Sequence, residues 1–435
     1  MAVSAPALHD ALLDIVGAAH VLRDPGARAA RAVDGVVPSA VVRPGSAEEI
    51  GRVLALATAE KLAVAPRGAG TSQGLGNPPR RLDLVLELGR LTAVRDYVPE
   101  DMVATVETGL TLGGLAAHLS AHRQMLALDP PGGESRSIGG VLATHASGPW
   151  RFRYGTGRDL LLGARFVQAD GTITWGGAKV VKSVTGYDVP KLLVGSLGTL
   201  GVLVEATLRL HPMAPQSCSW QLGFRSAETA RDLLAALLDS PLQPDRAALL
   251  DAGALRVAGL TADPIALLVS FSSVAEAVEA QGEALAGLAA RHGGRRDRLP
   301  ESVWSGLGPV VAGSILARAA FEPRRLLDWA ERVWALAGRA GAEVTLLGQP
   351  AHGVLQLSMT SGDELRVARE MLLPLRQALE AEGGSLVIER VPTSLKSECE
   401  CWGSISPEVL AIMNRIKSEF DSEGALNPGR FVGSL

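Results

Sequence analysis

Apolar and polar positions follow two different rhythms along this chain. Up to about residue 213, short apolar runs of strand length alternate with glycine-rich stretches that carry no period. The stretch "VVRPGSAEEIGRVLALATAEKLAVAPRGAG" predicts strand, helix, strand and then a glycine loop. Ser46 followed three residues later by Glu49 is a capping-box start for that helix. "LDLVLEL" predicts the next strand. "MVATVETGLTLGGLAAHLSAHRQMLALDP" repeats strand, helix from about Thr111, strand. Pro130–Asp159 has little periodicity and is too long for a plain connection, which marks it as functional. "LLLGARFVQADGTITWGG" predicts a hairpin turning at Asp170-Gly171, and "VPKLLVGSLGTLGVLVEATLRLHPMAP" ends on a strand and a proline-bounded linker.

Beyond that linker, amphipathic helices alternate with strands. "SAETARDLLAALLDS" predicts a helix, "AALLDAGALRVAGL" and "DPIALLVSFSS" strands, and "SVAEAVEAQGEALAGLAARHGG" a helix. "PRRLLDWAERVWALAGRAG", "AEVTLLGQ", "GVLQLSM" and "DELRVAREMLLPLRQALEAEGG" repeat helix, strand, strand, helix. The pattern predicts a duplicated split βαβ unit, an antiparallel sheet covered on one face by helices. Trp329 and Trp334 fall on one helical stripe and read as core. Ser406-Pro407 starts the last helix, with Val409, Ile412, Met413, Ile416 and Phe420 as one apolar stripe. Gly424 ends it, before "ALNPGRF".

Composition narrows the functional classes. A chain of 435 residues, 47% hydrophobic, has room for two or three domains with sizeable cores. The expected division is 1–36 as an N-terminal helical extension, 37–213, 214–404, and a C-terminal segment, 405–435. With a formal net charge of −4 and no basic face, no nucleic-acid partner is expected. No apolar run approaches the roughly 20 residues of a membrane span, so no direct membrane insertion is expected. The N-terminus lacks a basic n-region and carries Asp10 and Asp14, which predicts an amphipathic helix instead of a signal peptide. Three cysteines build no disulfide framework and fit a cytoplasmic location, and Cys399-x-Cys401 reads as structural.

The 49 glycines crowd into the first half, as if it wrapped a ligand closely. In "PRGAGTSQG" the spacing is not G-x-G-x-x-G, and a strand follows the loop where a dinucleotide fold would place a helix. No Lys-Ser/Thr pair follows, so a P-loop fails as well. Two readings remain: a turn between strands, or a helix-free anion nest of main-chain N–H groups with the Thr71 and Ser72 hydroxyls. "SIGGVLATHASG" adds small residues that would admit a flat, bulky ring, and Gly195, Gly198 and Gly201 form a third such segment. Three separated segments in one domain suit one long ligand.

Taken together, "PRGAGTS", "SIGG-x-x-AT-x-ASGP", "YGTGRDLLLGARFVQADG", "VVKSVTGYDVPKLLVGSLGTLGVLVEATLRLHP" and "LNPGRF" resemble the FAD-binding domain of the vanillyl-alcohol oxidase/p-cresol methylhydroxylase superfamily. The resemblance covers residues 37–213 and the C-terminal end, and within the superfamily is strongest to the FAD-binding subunits of bacterial glycolate oxidases. It implies an α+β fold. A two-subdomain p-cresol methylhydroxylase-type (PCMH-type) FAD-binding domain would combine a small βαβ subdomain with a mixed or antiparallel sheet. A ferredoxin-like antiparallel α+β cap domain would follow, with the C-terminal helix returning to the FAD domain.

The same resemblance implies site roles. Arg67, Gly68, Ala69, Gly70, Thr71 and Ser72 would wrap the FAD diphosphate through main-chain N–H groups. Pro130, Ile138, Gly139, Gly140, Ala143, Thr144, Ser147 and Gly148 would line the isoalloxazine and ribityl. Tyr154, Gly155, Arg158 and Asp159 would pack beside the cofactor. Gly195, Ser196, Gly198, Thr199, Gly201 and Val202 would approach the ribityl, phosphate and adenine, and Asn427 would return beneath the flavin. Lys182 is either a charge near the diphosphate or a surface lysine. Thr71 stands where some relatives carry a flavin-linking histidine, so noncovalent FAD is expected.

The chain departs from the metal-dependent members. Where they carry "H-x-x-G-D-G-N-x-H", it reads "GQPAHGVLQLSM", and His352 alone makes no metal site. Candidate catalytic residues are His145, inside the flavin segment, His352, and Arg390, which fits a substrate carboxylate or a surface ion pair. The resemblance implies hydride transfer from a small 2-hydroxyacid to FAD within a glycolate dehydrogenase complex. The partners would be a paralogous metal-dependent catalytic flavoprotein subunit and an iron–sulfur subunit, the assembly peripheral to the inner membrane. A self-sufficient D-lactate-type dehydrogenase and a non-catalytic flavin-binding assembly subunit are the rival readings.

Overall fold

A computed structural model describes residues 5–178 and 187–435. The first sheet runs Val21–Leu22, Ala40–Val42, Leu84–Glu87, Val64–Arg67. Its last three strands are parallel, and the helix Ala47–Ala59 makes the crossover between Ala40–Val42 and Val64–Arg67. Ile50, Val53, Leu54 and Ala57 lie on one face at helical spacing and are fully buried. Each of the three larger side chains contributes about 1.5–3 kcal/mol by leaving water. Ser46 Oγ caps the helix by accepting from the Glu49 N–H, while the Glu49 carboxylate accepts from the Gly45 N–H at 2.7 Å. The reciprocal bond of the expected capping box is thus displaced by one residue.

The second sheet is antiparallel, in the order Val94–Val98, Val103–Glu107, Val202–Arg209, Leu161–Val167, Ile173–Gly177. The last pair is the hairpin expected at Asp170-Gly171. Helices Leu112–Leu119 and Ile138–Thr144 cover it, burying Leu115, Leu119, Ile138, Val141 and Leu142. The second helix lies inside the segment that had shown no periodicity.

Residues 216–390 form one eight-stranded antiparallel sheet. Gln216–Phe224, Arg246–Asp251, Ile265–Ser273 and Arg295–Leu299 stand in the order fourth, first, third, second. Ile315–Ala320, Glu343–Gln349, Val354–Thr360 and Ser385–Arg390 mirror that order. The two split βαβ units join edge to edge through Leu249–Gly348 and Leu250–Leu347. Helices Ala227–Leu238, Ala275–Arg291, Leu326–Ala340 and Leu373–Ala381 cover one face, with Trp329 in that core. The other face is partly covered too, by the helix Ala252–Val257 and the turn Ser305–Val311. "AALLDAGALRVAGL" is therefore not one strand: Asp251 Oδ1 accepts the Ala254 N–H at 2.8 Å and starts a helix.

The C-terminal helix Pro407–Phe420 is capped by Ser406 as expected. Its stripe is only half packed: Ile416 and Phe420 touch the second core, whereas Val409 and Ile412 are exposed. Behind it the chain returns to the first sheet, where the Val64 N–H donates to Ala425 O and the Asn427 N–H to Val64 O. No described helix is long and apolar enough to cross a membrane.

Candidate active site

Three glycine segments meet in one cavity. The loop after Val64–Arg67 supplies Arg67, Gly68, Ala69, Gly70, Thr71 and Ser72. The helix Ile138–Thr144 supplies Gly139, Gly140, Ala143 and Thr144, and the turn leading into Val202–Arg209 supplies Ser196, Gly198 and Gly201, with Val202 itself. Close backbone approach explains two of the glycines. A Cβ on Gly68 would stand 2.0 Å from Ser137 Oγ, and one on Gly139 would stand 2.9 Å from Thr108 Cβ. Ser137 Oγ accepts from the Ala69 and Gly140 N–H groups, stitching the loop to the helix. The nest is therefore not helix-free: no helix follows the loop in sequence, but a neighbouring helical turn shares its cavity.

Asn427 closes the cradle, its Nδ2 donating to Leu197 O at 2.6 Å. Its Oδ1 is buried without a hydrogen-bond partner, as are Gln73 Oε1 and the Nε atoms of Arg67 and Arg430, all on residues of the cavity wall. Buried polar atoms of this kind need a partner. Leu88, Ala143, Val202 and Leu203 supply apolar surface among them. A wall of main-chain groups, unsatisfied polar atoms and apolar patches drawn from three separate segments fits a dinucleotide bearing a flat ring.

Other expected cofactor residues stand off this wall. Ile138 is core, because its side chain turns to the second sheet. Gly148 is held by Asp129, whose carbonyl oxygen would lie 1.8 Å from an added Cβ. Tyr154 packs on Trp150 and His211. Gly155 abuts the Asp159 carboxylate, Arg158 donates to Lys191 O, and Asp159 caps a helical turn with Thr156. Thr199 O accepts from Lys417, a Cβ added to Gly195 would stand 3.5 Å from His145 Cβ, and Pro130 is buried. Lys182 lies outside the described residues.

A second cavity of about 370 Å³ shares Thr71, Ser72, Leu75, Arg136 and Thr144 with the cradle. His145, Ser147 and Arg151 line it from the glycine-rich half, and Arg318, Gln349, Gln356, Glu389 and Arg390 from the eight-stranded sheet. Four guanidinium groups face one carboxylate. Arg318 Nε donates to Glu389 Oε1 at 2.7 Å, Arg136 to Ser72 Oγ at 2.9 Å and Arg390 to Gly313 O at 3.0 Å. Arg151 has only a 3.4 Å contact to Gln349 Oε1, and its Nε is buried without a partner. Burial, reinforced by Arg318, lowers the Arg151 pKa from its ordinary value. A surplus of positive charge, half-buried at Arg136, Arg151 and Arg318, with open donors suits an anion, above all a carboxylate.

His145 lines the second cavity next to Thr144, which lines both, and stands at φ +51° as the C-cap of the helix Ile138–Thr144. Burial, then Arg151, Arg318 and Arg158, depress its pKa. His352 sits off both walls in the turn Pro350–His352, and burial depresses its pKa as well. Among the described residues no group of three or more His, Cys, Asp or Glu could hold a metal ion. Sequence reasoning missed Arg136, Arg151, Arg318, Gln349 and Gln356. A signal existed for Arg318 and Gln356, each a polar interruption of an apolar strand and paired across the sheet.

The sequence and the fold are similar to those of known proteins. Residues 38–177 match the family described as an FAD binding domain. The chain is 30% identical to D-lactate dehydrogenase of Archaeoglobus fulgidus over 91% of each chain. It is 25% identical to glycolate oxidase subunit GlcD of Bacillus subtilis, over 91% of this chain and 89% of the relative. The fold superposes on p-cresol methylhydroxylase with TM-score 0.77 at 16% identity, covering 98% of this chain and 96% of the other. The chain belongs to the family of FAD-dependent 2-hydroxyacid dehydrogenases, and its fold is that of the PCMH-type flavoproteins.

Proposed function

We propose that the protein dehydrogenates a small 2-hydroxyacid in the arginine-lined chamber, beside FAD held in the cradle. The observation that carries this reading is the shared wall: Thr71, Ser72, Arg136 and Thr144 belong to both cavities. Main-chain groups of Arg67–Ser72 would hold the diphosphate, with Gly139–Thr144, Ser196–Val202 and Asn427 along the rest of the cofactor. Bound there, FAD supplies the acceptor for a hydride from C2 of the substrate. Arg136 and Arg390 would hold the substrate carboxylate from one side, and Arg151 and Arg318 from the other. Their fixed charge selects anions and orients C2 without further reorganisation.

The finer reading is an FAD-binding subunit of a glycolate dehydrogenase complex that passes electrons to an iron–sulfur partner. Its likeness to a glycolate oxidase subunit supports this. The full-length likeness to a D-lactate dehydrogenase favours a second reading, a chain that works alone. The test is anaerobic addition of glycolate or D-lactate to the purified chain and to the same chain co-expressed with its genomic neighbours. Bleaching of the flavin in both preparations selects the self-sufficient enzyme. Bleaching only with partners selects the subunit. A flavin that neither acid bleaches in either preparation overturns dehydrogenation of these acids.

A further inference from the structure

His145 holds one ring nitrogen in a chain whose donors and acceptors can be assigned by elimination. Its Nε2 lies 3.0 Å from Thr156 Oγ1, and Thr156 Oγ1 lies 2.9 Å from Asp159 Oδ2. The Asp159 carboxylate also accepts the Thr156 N–H at 2.7 Å. Burial alone would raise the Asp159 pKa, but the Thr156 hydrogen bonds, with Lys191, hold it below its ordinary value. An ionised carboxylate only accepts, so the single hydroxyl proton of Thr156 must point at Asp159. Thr156 Oγ1 takes the Arg158 N–H at 3.3 Å on one lone pair. Toward His145 it can therefore only accept. The Nε2 of a neutral ring must carry the hydrogen, and Nδ1 must carry the lone pair.

Nδ1 has no hydrogen-bond partner among the described residues, and the residue lines the chamber beside Thr144, which the chamber shares with the cradle. The charged groups around the ring are Arg151, Arg318 and Arg158, which disfavour a second proton, and Asp159, which favours it. A substrate carboxylate placed among Arg151 and Arg318 would offset their charge and make the ring a stronger base when substrate is bound.

We infer that His145 is the general base of the reaction, with Nδ1 taking the substrate hydroxyl proton and Thr156–Asp159 fixing the tautomer. This rests on the dehydrogenase reading above. As the O–H proton passes to Nδ1, C2 and oxygen form a second bond. FAD held in the cradle would supply the acceptor for the hydrogen that leaves C2 with its electron pair, so that a 2-oxoacid would result. Thr156 and Asp159 are positioning residues, since neither touches substrate.

Two measurements test it. The first needs no turnover: long-range 1H–15N correlation spectra of histidine-labelled protein, with His145→Asn identifying the resonances of residue 145. Asparagine tolerates the positive φ of this position, so the variant keeps the local backbone. A neutral ring protonated at Nε2 at neutral pH is expected, and Thr156→Val should loosen that preference. A ring protonated at Nδ1, or an imidazolium, overturns the assignment. The second is the rate of flavin bleaching by D-lactate or glycolate against pH, at equal FAD content. His145→Asn should slow it roughly 10²–10⁴-fold and remove the acid limb. Thr156→Val should lower kcat with KM little changed. An unaltered rate and pH profile in His145→Asn overturns the base, whereas a wild-type flavin that no 2-hydroxyacid bleaches overturns the dehydrogenase reading itself.

Discussion

At the scale of single residues, glycines do different work at superficially similar positions. Gly68 is glycine because Ser137 Oγ occupies the place of its side chain, whereas nothing lies within 4 Å of a Cβ built on Gly74. Gly68→Ala should force the loop and the helix Ile138–Thr144 apart, at a cost of about 1–3 kcal/mol. Fluorescence titration of the apoprotein should show FAD binding weakened by roughly 10–100-fold, with Gly74→Ala as the unaffected control. Arg151 has one long contact to protein and an unpartnered Nε. Arg151→Met should therefore leave the flavin spectrum intact and raise KM for the hydroxyacid by about 10-fold or more, the loss of one or more charged hydrogen bonds. Equal KM values in variant and wild type would remove Arg151 from substrate binding. Much of this scale was legible beforehand, since a glycine announces a missing side chain. Arg151 and Arg136 were not, because an arginine in sequence carries no sign of whether water or a buried chamber surrounds it.

Elements were legible where periodicity and caps agreed. Ser46, Thr111, Ser226 and Ser406 each begin a helix with a side-chain oxygen on a free N–H. The helix Ile138–Thr144 escaped because Gly139, Gly140, Ala143 and Thr144, which line the first cavity, erase the apolar period. In the C-terminal helix the stripe was visible, but not which part of it touches protein. Lys417, a polar position in that reading, is the buried anchor. Its Nζ donates to Thr199 O at 2.7 Å and Leu426 O at 3.0 Å, and it pairs with Asp421. Asp421 in turn accepts the Ala425 and Leu426 N–H groups, one residue before Asn427. Lys417→Met would leave Asp421 buried without its cation, a loss of about 3–5 kcal/mol. Thermal unfolding should fall by many degrees and FAD be released early. Ile412→Lys, at an exposed position of the same helix, should change stability by no more than about 0.5 kcal/mol.

Across the whole molecule, the glycine-rich half and the eight-stranded sheet meet at a contact that no local pattern announces, because its partners lie far apart in sequence. Asp129 accepts the Trp150 N–H on both carboxylate oxygens, at 3.0 and 3.1 Å. Arg246, on the eight-stranded sheet, reaches across with its Nε 4.0 Å from Asp129 and its guanidinium 4.5 Å from the Trp150 ring. Glu301 draws the same arginine away at 3.2 Å. Burial therefore outweighs Arg246 and pushes Asp129 up to about 7 from an ordinary 3.8. The folded protein holds a proton here that the unfolded chain releases above about pH 4. Stability contributed by this group is complete below the unfolded value and is lost as pH rises through about 7. An asparagine in its place keeps a carbonyl acceptor for Trp150 and has no proton to lose. The melting temperature of the wild type relative to Asp129→Asn should therefore be higher at pH 5 than at pH 8, with the difference levelling off above about pH 8. A difference that is constant over this range, or that grows with pH, would mean Asp129 stays ionised and the two halves are held by its ion pair with Arg246.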